Sequence, residues 1–244
     1  MTWELQSRHT ITRRGGLIAA ALMGVAVGGC VPPRIVRFRL RLAVEVDGRP
    51  HSGESVQEWR YRKGSRFSFG GTSVAFKGEG VVLDLGQWGL VVSTFVELAA
   101  PNSRLPIEPV WGGRPPVDRN WRAANRLARA LMPSETDWDG LTAMKQSDPV
   151  PVPPSELPLL LRFSEASNPR SVQRLSMDSG DARFRITGAS IEVTDAPVTR
   201  GKVAAALPWA PRYLENNWNL DGGHTWDPKS SLSGQISASD FIRL

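Results

Sequence analysis

The side chains best suited to chemistry lie near the C-terminus, in Asp221-Gly-Gly-His-Thr-Trp-Asp227, where two carboxylates flank His224 at three-residue intervals. Carboxylate oxygen and imidazole nitrogen are donors that can hold a divalent ion and, through it, activate water for hydrolysis. Gly222, Gly223 and Pro228 predict a loop here. The spacing alone therefore does not make the three donors converge, and a solvated turn is the competing reading. A second acidic group, Glu135, Asp137 and Asp139 around Trp138, has the residue types of a glycosidase pair. It follows Pro133, which stops a predicted helix, and capping of the next helix near Leu141 to Met144 is the alternative.

Other chemistries lack their residues. There is no G-x-S-x-G nucleophile elbow and no H-E-x-x-H pair, and Leu83 stands where a loop opened by Gly78 and Gly80 would need its third glycine. Only His51 and His224 follow residue 30. The tryptophans are spaced through predicted strands and helices, as core or loop anchors are, rather than in a sugar-stacking row. No cofactor is expected.

One thiol, Cys30, is the only cysteine, which excludes an internal disulfide framework and a cysteine-cluster metal site. Ahead of it, Met1 to Arg14 is polar and ends in Arg13-Arg14, and Gly15 to Gly29 is free of charge and rich in Ala and Gly. This is the layout of an export signal. The uncharged stretch falls short of the roughly 20 residues that a membrane-spanning helix needs. Thr12-Arg13-Arg14-Gly15-Gly16-Leu17 resembles a twin-arginine signal, and Val27-Gly28-Gly29-Cys30 resembles the lipobox of bacterial lipoprotein precursors. The resemblance implies a signal peptide over 1–29, cleavage before Cys30, and diacylglycerol on its thiol. It further implies a domain over 30–244 anchored by lipid at the periplasmic face of the cell envelope. Val31 after the cysteine leans toward the outer membrane. A cysteine behind a signal that is cut elsewhere is the competing reading. Two or three acyl chains, at about 0.8 kcal/mol per buried methylene, suffice for stable attachment.

The formal charge of +6 falls to +4 without the signal, which holds Arg8, Arg13 and Arg14 against Glu4. No basic run with interleaved aromatics is present, and no nucleic-acid partner is expected. A local pattern is more informative. From Arg34 to Val46, Phe38, Leu40, Leu42, Val44 and Val46 alternate with Arg37, Arg39 and Arg41, the period of a half-buried strand. The arginine stripe is either a solvated outer face or, starting a few residues after Cys30, a surface for anionic headgroups.

Residues 34 to 97 read as an antiparallel meander, with further strands at Ser55 to Lys63, Val74 to Gly78, Val81 to Leu85 and Leu90 to Val96. Gly86-Gln-Trp-Gly89 forms the last tight connection. Proline-rich loops lie near 101–117 and 149–158. Between Asp118 and Pro133 a helix is predicted with Trp121, Ala124, Leu127, Ala128 and Leu131 on one face. Strands follow at Leu159 to Phe163 and Ala182 to Val193. A helical stretch over 201–217 is interrupted by Pro208 and Pro211. Beyond Gly222 an irregular tail re-docks through Phe241 and Ile242. The expected class is α+β, β-dominated, with an N-terminal antiparallel meander and packed helices.

Arg39-Leu-Arg-Leu-Ala-Val-Glu-Val46, Asn168-Pro-Arg-Ser-Val-Gln-Arg-Leu175 and Ile191-Glu-Val-Thr-Asp-Ala-Pro-Val-Thr-Arg-Gly201 followed by Leu207-Pro-Trp209 resemble segments of a group of uncharacterised exported proteins of alphaproteobacteria. That resemblance implies a shared fold and carries no activity or catalytic residue. The expected role is a lipid-anchored envelope protein that binds a protein partner or organises the envelope without catalysis. The alternatives are a periplasmic ligand or lipid carrier and a metal-assisted hydrolase using Asp221, His224 and Asp227.

Overall fold

The computed structural model describes residues 34–62, 73–95, 127, 130, 131, 138–175, 183–224 and 230–244. Arg13, Arg14, Cys30, the loop at 101–117, most of the helix expected between Asp118 and Pro133, Glu135, Asp137 and Asp227 lie outside them. The described residues all belong to one compact unit and are β-dominated, with antiparallel sheets.

The first strand, β1 (Arg34–Val46), turns at Asp47-Gly48 into β2 (Arg49–Arg62). Asp47 has φ 50° and Gly48 φ 78°, the left-handed pair that matches the twist of a two-residue hairpin. Counting outward from that turn gives the register: Val46 faces Arg49, Arg41 faces Glu54 and Arg37 faces Glu58. Next, β3 (Ser73–Glu79) continues the meander on β2.

The meander stops there. Instead of adding to the same sheet, β4 (Val82–Asp84) and β5 (Leu90–Ser93) form a hairpin around the Gly86–Trp88 turn. With β7 (Leu160–Phe163) and β8 (Val172–Leu175) they build a second, four-stranded sheet in the order β4-β5-β7-β8. The first sheet is completed by β6 (Val150–Pro151), β9 (Phe184–Val193) and β10 (Ile242–Arg243), in the order β10-β3-β2-β1-β9-β6. The cause of the break is local. Gly80 lies against Ser93, and a Cβ on it would sit 1.9 Å from the Ser93 carbonyl oxygen. Its N–H donates to Phe241 (2.9 Å) rather than along the β2 edge.

The hydrophobic pattern records this layering. β1 alternates because its sheet buries one face, whereas Leu90-Val91-Val92 and Leu159-Leu160-Leu161 are continuous because the central strands of the second sheet, β5 and β7, are buried on both. One core holds the inner face of β1 with Trp59, Leu83, Val91, Leu160, Ile191 and Leu141. The other holds Leu90, Val92, Leu161 and Phe163 against Val203, Leu207, Ala210, Ile236 and Phe241. Leu127 and Leu131 are helical and buried in the first core, on the face expected for them.

Besides the helical residues 127, 130 and 131, the described residues include the short helices α1 (Trp138–Ala143), α2 (Lys202–Ala206), α3 (Ala210–Glu215) and α4 (Leu232–Gln235). Pro208 separates α2 from α3, but Pro211 sits in the first turn of α3, where its missing N–H costs nothing. The stretch 149–158, expected only as a connector, contributes β6 on the edge of β9 before an extended Pro153 leads into a 3-10 turn. The tail re-docks as expected: Phe241 and Ile242 are buried, and β10 pairs with β3.

Candidate functional site

The outer face of the first sheet carries the densest arrangement of charge. Alternation on β1 puts Arg37, Arg39 and Arg41 on that face, and the hairpin register brings Glu58 and Glu54 across from β2. From the other side β9 places Glu192 opposite Arg39. Arg39 Nη1 donates to Glu192 Oε1 at 2.6 Å, and Arg41 Nη1 to Glu192 Oε2 at 3.0 Å. Arg41 Nε donates to Glu54 Oε2 at 3.1 Å, with Arg39 Nε 3.7 Å from Glu54 Oε1.

Glu58 is the carboxylate held most tightly. Its side chain is 4% exposed and accepts from Arg37 Nε on one oxygen and Arg60 Nε on the other, both at 2.9 Å. Burial pushes its pKa up, but the hydrogen bonds and charges of Arg60 and Arg37 together outweigh that and leave it below the ordinary carboxylate value. The Arg41 guanidinium is held above its ordinary value first by the hydrogen bond to Glu54, against desolvation and with help from Glu192. Arg39 and Arg41 therefore balance Glu54 and Glu192, while Arg37 and Arg60 share the single charge of Glu58.

Glu54, Glu58 and Arg60 were legible had Asp47-Gly48 been taken as a hairpin turn, because the register follows by counting. Glu192, on a strand 151 residues beyond Arg41, carries no local signal.

The loop holding Asp221 and His224 is built by its own backbone and side chains. Asp221 Oδ1 accepts from Gly223 N at 2.8 Å, Asn219 N donates to the Gly223 carbonyl at 2.8 Å, and Arg170 Nη2 donates to the Asp221 carbonyl at 2.7 Å. The Trp218 indole N–H donates to His224 Nε2 at 3.1 Å. That engages one of the two ring nitrogens through which His224 could hold an ion. Among the described residues no group of three or more His, Cys, Asp or Glu side chains is arranged to hold a metal ion. Asp139, from the second acidic group, lies in the first turn of α1 and pairs with Arg34. His51 Nδ1 is 3.2 Å from the Asp84 carbonyl and links β2 to β4.

The tryptophans with described side chains, Trp59, Trp88, Trp209 and Trp218, act as anchors. Trp59 is fully buried against Phe38, with ring centroids 4.1 Å apart, and Trp88 stacks on Phe184 at 5.0 Å with the Arg162 guanidinium 3.9 Å above it. A row of rings runs outward from Phe163 through Trp209, Tyr213 and Trp218 to His224.

Buried Glu79 fastens the start of α2. Its Oε1 accepts from Gly201 N at 2.6 Å and its Oε2 from Val203 N at 3.0 Å, two of the free N–H groups at the start of α2. Comparison of the chain with protein-family models, with curated proteins and with solved structures finds no match.

Proposed function

We propose that this protein is a lipid-anchored component of the bacterial cell envelope that binds a protein partner or organises the envelope without catalysis. The observation that carries the reading is Val27-Gly28-Gly29-Cys30 standing at the end of an uncharged stretch and four residues ahead of β1. In this reading residues 1–29 direct export, with Arg13 and Arg14 in a twin-arginine signal, and Cys30 becomes the acylated first residue. An α+β domain, its meander covered by packed helices, is then held at the periplasmic face, with Val31 favouring the outer membrane. Support for a non-catalytic role comes from the engagement of Asp221, His224 and His51 in hydrogen bonds within the fold.

The test is Cys30→Ala in the full chain. The native chain partitions into detergent and takes up labelled palmitate, and the variant does neither. A variant that stays membrane-bound and labelled removes the anchor.

A further inference from the structure

The charge balance on the outer face of the first sheet is uneven, and the imbalance lies at one end. Toward the middle of β1, Arg39 and Arg41 meet two carboxylates, Glu54 and Glu192. Nearer the start of the strand, Arg37 and Arg60 meet only Glu58. Lys77 stands directly opposite Glu58 on β3 and so joins the same face, with no ion pair among the described residues. Three cations thus surround one buried carboxylate. The arginines keep their heads half in water, at 41% and 43% exposure.

Beside them, in register with Arg60, is Ile35, one of three large apolar side chains exposed among the described residues, at 47%. Alternation puts it on the same face as Arg37. An exposed apolar side chain ringed by cations suits the boundary between headgroups and acyl chains, where the apolar group enters and the cations meet phosphate. Position agrees with this. Arg34 is four residues on from Cys30, and at full extension those four steps span at most about 14 Å.

We propose that Ile35, Arg37, Arg60 and Lys77 form the surface with which the domain rests on an anionic phospholipid leaflet, orienting it relative to its anchor. The proposal rests on the anchor at Cys30 for its setting, but its own chemistry is testable without the lipid. It also moves the contact away from Arg39 and Arg41, whose charge is already matched.

The test uses the full chain with Cys30→Ala, so that no acyl group contributes, and compares sedimentation with phosphatidylcholine vesicles and with equimolar phosphatidylcholine and phosphatidylglycerol vesicles. Residues 1–29 are common to all variants, so differences among variants read the corner. The double variant Arg60→Gln/Lys77→Gln is expected to lose roughly 25-fold in binding to the anionic vesicles, each base near a surface contributing roughly fivefold. Arg174→Gln, which removes an exposed base from the other sheet, leaves binding unchanged. Ile35→Ser weakens binding to both vesicle types. Equal binding by the double variant and its parent overturns the proposal. A loss of roughly fivefold in Arg174→Gln also overturns it, because binding then follows net charge alone. Palmitate labelling of the native chain separates the two readings: an unlabelled Cys30 with intact vesicle contrasts removes the anchor and leaves the corner standing.

Discussion

Arg37 and Glu58 face each other across the first hairpin, with Arg37 Nε 2.9 Å from Glu58 Oε2. Arg60, two residues along β2, holds the other oxygen, so the carboxylate is buried with both oxygens engaged. A buried carboxylate of this kind ties stability to pH.

Glu58→Gln is expected to lower stability at neutral pH by about 1–2 kcal/mol, a charge-assisted pair discounted because both arginines are half exposed. Since the folded pKa of Glu58 lies below its ordinary 4.5, the contribution of the native residue is fully present above that value. It is lost as pH falls through the lower folded value. Urea unfolding from neutral to acid pH should therefore show a shallower acid decline in Glu58→Gln than in the parent. Parallel declines would mean that Glu58 does not carry this dependence.

Gly48→Ala tests the turn from which the register is counted. At φ 78° a Cβ is strained although nothing stands within 4 Å of it, and a loss of about 1 kcal/mol is expected. Gly188→Ala, at the bulge in β9 with open space around it and no positive φ, should change stability by less than about 0.5 kcal/mol. Thermal melts of both variants make the comparison, and equal losses would contradict the turn assignment.

Gly80→Ala should prevent folding. The added methyl meets backbone at the junction where β3, β5 and the tail converge, and no side-chain motion can relieve a 1.9 Å approach to the Ser93 carbonyl. Recovery of soluble protein with a native circular-dichroism spectrum would contradict this.

Glu79→Ala leaves the amides of exposed Gly201 and buried Val203 without their acceptor, and a loss of about 1–2 kcal/mol is expected, most of it from Val203. Amide hydrogen exchange is the specific reading. Protection at Gly201 and Val203 should fall more than protection in the middle of β1, and a uniform fall would mean global destabilisation only.

Much of this fold follows from local pattern, as particular residues show. The alternation of Phe38, Leu40 and Leu42 with Arg37, Arg39 and Arg41 can satisfy only a strand with one wet face. Gly86 and Gly89, with φ 60° and 97°, mark a turn that few other residues could make. Phe241 and Ile242, apolar at the end of a polar tail, needed a place to be buried. The expected meander overran by two strands because the runs at Val81 to Leu85 and Leu90 to Val96 announce burial without saying in which sheet.

For the chemistry-bearing residues, sequence determined type and spacing, and through the Asp47-Gly48 turn it contained the pairing of Arg37 with Glu58 and Arg41 with Glu54. The resemblances on which the proposed anchor rests, around Arg13-Arg14 and Val27-Gly28-Gly29-Cys30, are likewise patterns in linear order, read without a fold. Tertiary structure alone decided that Glu192 closes the ladder from β9, that Glu79 holds α2, and that the tail closes the edge of β3. The reason is physical: a turn transmits register over a few residues, whereas contacts between distant segments are selected by the burial of whole faces, a property of the assembled sheets. The uneven charge at Ile35, Arg37, Arg60 and Lys77 belongs to that second kind, since three strands must meet before it exists.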